Sequence, residues 1–454
     1  MFSKKVLVAG AGKSGINASA LLARNNVKVI LFDENEKLDR KELSDKFENS
    51  PNKENIEIYI GALKDEMLEE ISAMVISPGI PVDAPFALKV KEAGIPVISE
   101  IELAYTFEKG TVCAITGTNG KTTTTTLVGE IMKAHNEKTY VVGNIGYPYT
   151  GIADETTEDS VTVAEISSFQ LETIKTFKPH VSAILNITPD HLNRHYTFDN
   201  YAQCKLDVAK NQDEKDFCIL NYDDPETRSR ADKINTGHVF FSRLEELNEG
   251  VYVEDGDIVI KEKGEKKRVL SLKDIKLLGT HNTENVLAAV AVSYYMGVPV
   301  ETIERVCTAF KGVEHRIEYV KTVKGVSYYN DSKGTNPDAA IKGIQAMTTT
   351  TFLIGGGYDK HSEYDEWIDC FDAKVKYLVL IGQTAEKIAL CAKKHGFNSI
   401  VIMESLQEAV EFCYNNAKPG DAVLLSPACA SWGMFDNYEQ RGNLFKEYVR
   451  NLEE

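Results

Sequence analysis

A short apolar run, Val112-Cys113-Ala114-Ile115, leads straight into Thr116-Gly117-Thr118-Asn119-Gly120-Lys121-Thr122-Thr123. That pattern predicts a buried strand that breaks into a glycine-rich turn and restarts as a helix at Lys121. It commits this part of the chain to the α/β class, a parallel sheet with helices between its strands. Backbone N–H groups in such a turn cradle phosphate oxygens, and the helix N-terminus adds a favourable dipole. Lys121 reaches the terminal phosphates and the Thr122 hydroxyl helps hold Mg²⁺. The spacing departs from the standard P-loop, whose first glycine would fall at Ile115. A nucleoside triphosphate is the expected ligand, against the alternative of a helix N-cap turn with a solvated lysine.

Strand and helix patterns alternate along all 454 residues, and three segments are expected: 1–99, 100–312 and 313–454. The first opens with a strand from Lys5, the turn Gly10-Ala11-Gly12-Lys13-Ser14-Gly15, and a strand over Val27–Phe32 ending at Asp33. Further strands are expected over Ile56–Ile60 and Ala73–Ser77. The glycines permit a tight turn and close backbone approach, and Asp33 can accept a ribose or base hydrogen bond. Taken alone this turn predicts NAD, although a single GxGxxG says only that a nucleotide diphosphate binds. In the second segment, strands are expected over Tyr140–Val142, Val161–Ile166, Val181–Ile187 and Phe217–Leu220. A hairpin turns at Asp255-Gly256, and a helix covers Asn282–Met296. The third repeats the parallel pattern, with strands over Val326–Asn330, Phe352–Ile354, Tyr377–Ile381, Ser399–Ile402 and Val423–Ser426.

A net charge of −17, from 51 basic and 68 acidic residues, argues against nucleic acid or an anionic membrane as partner. No apolar run approaches the ~20 residues that span a bilayer, so a cytoplasmic protein without membrane insertion is expected. The eight cysteines are scattered without a CxxC pair and read as small core residues; neither a disulfide nor a zinc site is expected.

Polar residues recur at the carboxyl ends of the second segment's strands, the edge where ligands gather in open α/β sheets. Asn144 lies in Gly143-Asn144-Ile145-Gly146, Glu165 ends Val161-Thr162-Val163-Ala164, and Asp190-His191 follow Asn186-Ile187-Thr188-Pro189. A carboxylate and an imidazole there suit Mg²⁺ or Mn²⁺.

Together these motifs resemble the Mur ligase family of peptidoglycan synthesis over the whole chain. Thr116–Thr123 is similar to that family's ATP loop, and Glu165–Glu172 to its metal-binding strand end. Pro189-Asp190-His191 followed by Lys205 resembles its histidine and carbamylated-lysine pair. Gly279–Asn285 resembles its adenine-side motif, and His315-Arg316 with Asn330-Asp331-Ser332-Lys333 its inter-domain nucleotide motif. Within the family, Ser77-Pro78-Gly79, Gly355–Lys360, Ser426–Ser431 and Tyr438–Gly442 are similar to the branch that adds D-glutamate. Asn193 and Gly334 depart from the pattern, standing where aspartate and alanine are usual.

The resemblance implies three α/β domains: a Rossmann-like UDP-binding domain, a central P-loop-type ATPase domain with a parallel sheet, and a Rossmann-like C-terminal domain. It implies ATP, two Mg²⁺ sites, UDP-N-acetylmuramoyl-L-alanine and D-glutamate as ligands of a monomer, with an acyl phosphate as intermediate. By the same resemblance, Lys121, Glu165, His191 and Lys205 are catalytic. Thr122, Glu165, His191 and a carbamate on Lys205 are the metal ligands. Gly117, Thr118, Asn119, Gly120, Lys121, Thr122, Thr123, Asn285, Arg316 and Asp331 bind ATP. Gly12, Lys13, Ser14, Asp33, Ser77, Pro78, Gly79 and Asn144 bind the UDP-sugar. Lys333, Thr335, Lys360, Ser431 and Tyr438 bind D-glutamate. Three alternatives stay open: an NAD-dependent dehydrogenase built on Gly10–Gly15, a sister ligase for another amino acid, and a nucleotide sensor without turnover.

Overall fold

The computed structural model describes residues 2–144, 146–360 and 362–453, so Ile145 of the Gly143–Gly146 turn lies outside the described residues. Contacts divide the chain into two compact units. One comprises Met1–Asp274 with Glu284–Thr308, the other Ile275–Thr283 with Ala309–Glu454.

The first unit holds two sheets. The smaller contains β1 (Lys5–Ala9), β2 (Val29–Asp33), β3 (Ile56–Ile60), β4 (Ile71–Ile76) and β5 (Val97–Ser99), all parallel, in the order β3-β2-β1-β4-β5. Strand order reverses beside β1, so the turns after β1 and β4 lie side by side at a switch point. Gly10 is held at φ +99°, and a Cβ on it would come 2.7 Å from Ser77 Oγ. A side chain there would push the two turns apart.

The larger sheet contains β6 (Thr111–Thr116), β7 (Thr139–Gly143), β8 (Val161–Glu165), β9 (Val181–Ile184), β10 (Phe217–Asn221), β11 (Gly237–Ser242), β12 (Gly250–Glu254), β13 (Asp257–Glu262) and β14 (Glu265–Ser271). Its order is β14-β13-β12-β11-β10-β9-β6-β8-β7. The six pairings from β7 to β12 are parallel, and β12-β13-β14 turn back as an antiparallel meander. The Asp255-Gly256 turn joins β12 to β13, as the hairpin signal predicts. Apolar central strands are covered on both faces, whereas the charged stretch Glu265–Arg268 of β14 is exposed at the sheet edge.

A continuous hydrophobic cluster links the two sheets, running from Val6, Val29 and Leu31 through Ile101 and Leu103 to Val112, Ala114 and Ala164. The helix Glu100–Tyr105 forms the joint. Its buried Glu102 carboxylate accepts from the backbone N–H groups of Lys175, Thr176 and Phe177 and from the Thr176 hydroxyl, at 2.6–2.9 Å. A buried charge held by four donors is satisfied where it stands and would be costly to expose to fewer.

The second unit contains β15 (Glu318–Val323), β16 (Val326–Asn330), β17 (Thr351–Gly356), β18 (Val375–Ile381), β19 (Ile400–Ile402) and β20 (Ala422–Leu425). Their order is β15-β16-β20-β17-β18-β19, parallel except for the β15-β16 hairpin. The carboxyl ends of β16, β20 and β17 open side by side onto Asp331, Ser426 and Gly357. No helix among the described residues is long and apolar enough to cross a membrane.

Candidate active site

Gly117 and Gly120 are held at φ +152° and +84°, values that glycine tolerates and other residues rarely adopt. A Cβ on Gly120 would sit 2.2 Å from the Asn285 side-chain oxygen, so the turn closes directly over the helix Thr280–Tyr295. The loop is also locked sideways to the end of β9. Asn119 N–H donates to Asn186 Oδ1 at 2.8 Å, and Asn186 Nδ2 returns a bond to Asn119 O. The Thr118 hydroxyl lies 2.9 Å from the Tyr201 hydroxyl and accepts from Thr188 N–H at 3.0 Å. Helix Lys121–His135 begins at once, and its threonine run survives because Thr122–Thr125 are buried and Thr126 Oγ1 donates back to Thr122 O at 2.8 Å.

Lys121 Nζ folds over the turn and donates to the carbonyls of Gly117 and Thr118, at 2.8 and 2.9 Å. Lys205 Nζ, from helix Phe198–Leu206, donates to the same Gly117 carbonyl at 2.9 Å and lies 4.6 Å from the Tyr201 ring centre. Lys205 is only 2% exposed. Burial first, and the neighbouring Lys121 charge second, bring its amine down from 10.5 to about 7.

Glu165, at the end of β8, is 2% exposed; Asn144 Nδ2 donates to its Oε1 at 3.0 Å. Its other oxygen is buried with no hydrogen-bond partner among the described residues. Register places Glu165 beside Ile115, one residue before the glycine turn begins. His191 stands in a left-handed conformation at φ +51°, with its ring against Phe169 at 4.8 Å and its Nε2 3.4 Å from Asp190 Oδ2. Thr122, Glu165 and Asp190 offer oxygen, the chemistry that Mg²⁺ selects, and His191 a nitrogen; among the described residues, Glu165, Asp190 and His191 do not lie within 4.8 Å of one another as a ready-made cluster.

In the first sheet, Gly12 caps helix Lys13–Arg24, and the exposed Lys13 ammonium donates across to Gly146 O. Ser77, Pro78 and Gly79 follow β4, and Arg194, paired with Glu172 at 2.6 Å, also reaches Pro78 O at 3.4 Å. Asp33 ends β2 beside this turn. Its Oδ2 accepts from Ala11 N–H at 2.8 Å and its Oδ1 from Asn35 N–H at 2.9 Å, so the carboxylate shapes the glycine turn itself.

In the second unit, Asp331 is buried, accepting from Ser426 Oγ at 2.7 Å and Ile317 N–H at 3.3 Å. Burial raises its carboxyl from 3.8 to about 7, against the opposing pull of the Ser426 hydrogen bond and the Arg316 charge. Arg316 Nε is buried without a partner among the described residues. A Cβ on Gly334 would lie 2.7 Å from Asp331 Oδ2 and 3.0 Å from Ser426 Oγ, so glycine leaves this pair undisturbed. Lys333 lies over the Tyr438 ring at 5.8 Å, and Thr335 follows on the same turn. Arg441, fully buried, donates to Ser332 Oγ, Ser332 O and Cys429 O at 2.8–3.2 Å, pinning the Ser332 turn to the Cys429–Ser431 segment. Lys360 lies 4.8 Å from the Trp432 ring centre, next to the buried Ser431.

Residues 4–99 match the Mur ligase MurD-like N-terminal domain, 115–293 the Mur ligase middle domain and 315–429 the Mur ligase glutamate ligase domain. The chain is 53% identical to the UDP-N-acetylmuramoylalanine–D-glutamate ligase of Lachnoclostridium phytofermentans, over 99% of each chain. It is 54% identical to the ligase of that name from Lachnospira eligens, again over 99% of each. The chain belongs to the Mur ligase family. Mur ligases of known structure share its three-domain α/β architecture at low identity. The UDP-N-acetylmuramate-alanine ligase of Thermotoga maritima superposes with a TM-score of 0.59 at 17% identity, covering 98% of this chain and 99% of that one. MurF ligase from Thermotoga maritima, solved in complex with ADP, gives 0.59 at 16%, covering 95% and 99%. Within a Mur ligase, the Gly10–Gly15 turn no longer supports a dehydrogenase.

Sequence reasoning gave no role to Asn186, Tyr201, Ser426 or Arg441 in this Mur ligase. Tyr201 had a readable signal, because it stands four residues before Lys205 on one helix face. The others act through neighbours in loops distant along the chain.

Proposed function

We propose that the chain joins the carboxylate of UDP-N-acetylmuramoyl-L-alanine to the amine of D-glutamate, releasing ADP and phosphate, in the synthesis of peptidoglycan precursors. A carboxylate is a poor electrophile, and amide formation in water is uphill. The acceptor oxygen therefore attacks the γ-phosphorus of ATP, ADP departs, and an acyl phosphate forms. The amine of D-glutamate then attacks the acyl carbon, and phosphate leaves carrying the former carboxylate oxygen.

The backbone of Gly117–Thr123 binds the phosphates, and Lys121 turns from its loop carbonyls onto the γ-phosphate, giving mainly positioning and charge neutralisation. Asn285 supports the loop on the adenine side; Arg316 and Asp331 serve phosphates and ribose. Thr122 with Glu165, and His191 with Lys205 as its carbamate, would hold two Mg²⁺ ions. When bound, Mg²⁺ neutralises phosphate charge and polarises the acceptor. Lys205 fits the carbamate role because only a neutral amine attacks CO₂, and its buried nitrogen is about half neutral near pH 7. Gly12, Lys13, Ser14, Asp33, Ser77, Pro78, Gly79 and Asn144 contact the UDP-sugar, and Asp33 also sets the turn through its bond from Ala11 N–H. Lys333 and Lys360 pair with the two carboxylates of D-glutamate, and Thr335, Ser431 and Tyr438 orient it. The segments 1–99, 100–312 and 313–454 act as UDP-sugar, ATP and amino-acid domains of a cytoplasmic monomer.

The observation that carries the phosphoryl-transfer reading is the open, buried oxygen of Glu165 beside the glycine turn. Full-length likeness to ligases named for D-glutamate supports the amino acid. Phosphate release from ATP in the presence of the UDP-sugar tests the choice. D-glutamate should stimulate it strongly and L-glutamate or L-alanine should not; equal stimulation by L-alanine would assign a sister activity.

A further inference from the structure

Two short helices of the second unit, Asp365–Asp369 and Ala385–Lys394, pack against each other. Asp365 and Asp369 stand four residues apart on the first. Cys391 stands four residues before His395, which caps the second. Each pair therefore shares one helix face. The faces meet at the imidazole of His395, whose Nδ1 lies 2.7 Å from Asp369 Oδ1 and whose Nε2 lies 2.8 Å from Asp365 Oδ1. A carboxylate oxygen of Asp365, the sulfur of Cys391 and a ring nitrogen of His395 all lie within 4.8 Å of one another. Solvent reaches the group, since the side chains of Asp365 and His395 are 43% and 21% exposed and Cys391 is half-buried.

We propose that Asp365, Cys391 and His395 form a site for a thiophilic divalent cation of the zinc class, which clips these two helices together. Thiolate, imidazole and carboxylate form a mixed set that zinc accepts and Mg²⁺ does not favour. Asp369 is the positioning residue. Accepting the Nδ1 proton fixes the tautomer in which Nε2 presents its lone pair to the metal. Tetrahedral zinc, about 2.0 Å from N and O and about 2.3 Å from S, holds its ligands roughly 3.3–3.8 Å apart. A side-chain adjustment of about 1 Å closes the set, with water in the fourth position. The Cys391 thiol proton and the His395 Nε2 proton, which faces Asp365 Oδ1 in the unligated chain, both pass to solvent as the metal bonds form. The exposed Lys394 ammonium, 3.9 Å from Asp365, is free to swing aside.

A plain ion pair explains His395 between two aspartates, with the Cys391 thiol hydrogen-bonded to Asp365 beside it; a metal would join all three donors at one point. The C-x₃-H and D-x₃-D spacings also escape a search for CxxC pairs, which is why the sequence raised no expectation of zinc. The clipped helix starts beside Thr384, whose hydroxyl accepts from Gly357 N–H at 3.0 Å, so the clip steadies one wall of the Gly355–Lys360 loop.

Cobalt titration of the metal-free full chain tests the site. Co²⁺ should give a thiolate-to-metal absorption band that zinc abolishes by displacement. The Mg²⁺ sites proposed above contain no sulfur and give no such band. Cys391→Ser should remove the band, with circular dichroism unchanged. Asp369→Asn should keep it but weaken cobalt binding about tenfold or more. Zinc should also slow alkylation of Cys391, read by peptide mass. The absence of a thiolate band, with Cys391 alkylated equally fast with and without zinc, would leave an ion pair only and overturn the site.

Discussion

Replacing Lys205 by methionine should stabilise the unligated protein while destroying turnover. Burial depresses the amine from 10.5 to about 7. Below pH 7 the residue is charged in both folded and unfolded chains, and folding bears the full cost of burying it. Between pH 7 and 10.5 the folded chain sheds a proton that the unfolded chain keeps, so the cost shrinks as pH rises. Linkage gives an upper limit of about 4 kcal/mol at pH 7 and about 2 kcal/mol at pH 9. Against this, Lys205→Met loses the bond to Gly117 O and the cation–π contact with Tyr201, together roughly 1–2 kcal/mol. The Gly117 carbonyl is not orphaned, because Lys121 also donates to it. A net gain of about 2–3 kcal/mol at pH 7, falling to near zero at pH 9, is expected. Urea unfolding in CO₂-free buffer without nucleotide measures it. A variant that is less stable at pH 7, or whose gain does not depend on pH, would refute the claim that Lys205 is a buried, strained amine.

Gly120→Ala should raise the dissociation constant for ATP at least about tenfold by calorimetry. A left-handed alanine costs roughly 1–2 kcal/mol, and the new Cβ displaces the Asn285 oxygen that lies 2.2 Å away. Arg441→Met strands the buried carbonyl oxygens of Ser332 and Cys429, while Ser332 Oγ keeps its bond to Tyr438 O, and should destabilise the protein by roughly 2–4 kcal/mol in denaturant unfolding. Asp331 has the opposite linkage sign to a depressed acid. Its carboxyl is raised to about 7, so its charge costs stability as pH climbs from 3.8 towards 7. Asp331→Asn should therefore gain roughly 2–4 kcal/mol at pH 8 and almost nothing at pH 4 in the same assay, while weakening nucleotide binding.

Strands bounded by turn residues were readable to the residue. Ile56–Ile60 and Val326–Asn330 coincide with β3 and β16. Strands β11 and β15 went unread because neither is a buried apolar run; β15 is mostly half-buried, and its sequence carries no strand period. The joint between the first two sheets was also unreadable, since Glu102 looks like an ordinary helix carboxylate until Lys175–Phe177 fold onto it. At the site, residues beside a glycine turn announced themselves through local spacing. Asn186, Ser426 and Arg441 did not, because their partners come from loops far away in sequence. Asp33 shows the converse: its position was readable, while its bonds from Ala11 and Asn35 N–H were not.

The central claim is that an acceptor carboxylate is activated by phosphoryl transfer. Labelling that carboxylate of UDP-N-acetylmuramoyl-L-alanine with ¹⁸O and analysing the released phosphate by mass spectrometry tests it most directly. The account predicts that one labelled oxygen moves into each phosphate formed during amide synthesis with D-glutamate. Unlabelled phosphate accompanying normal product would contradict it.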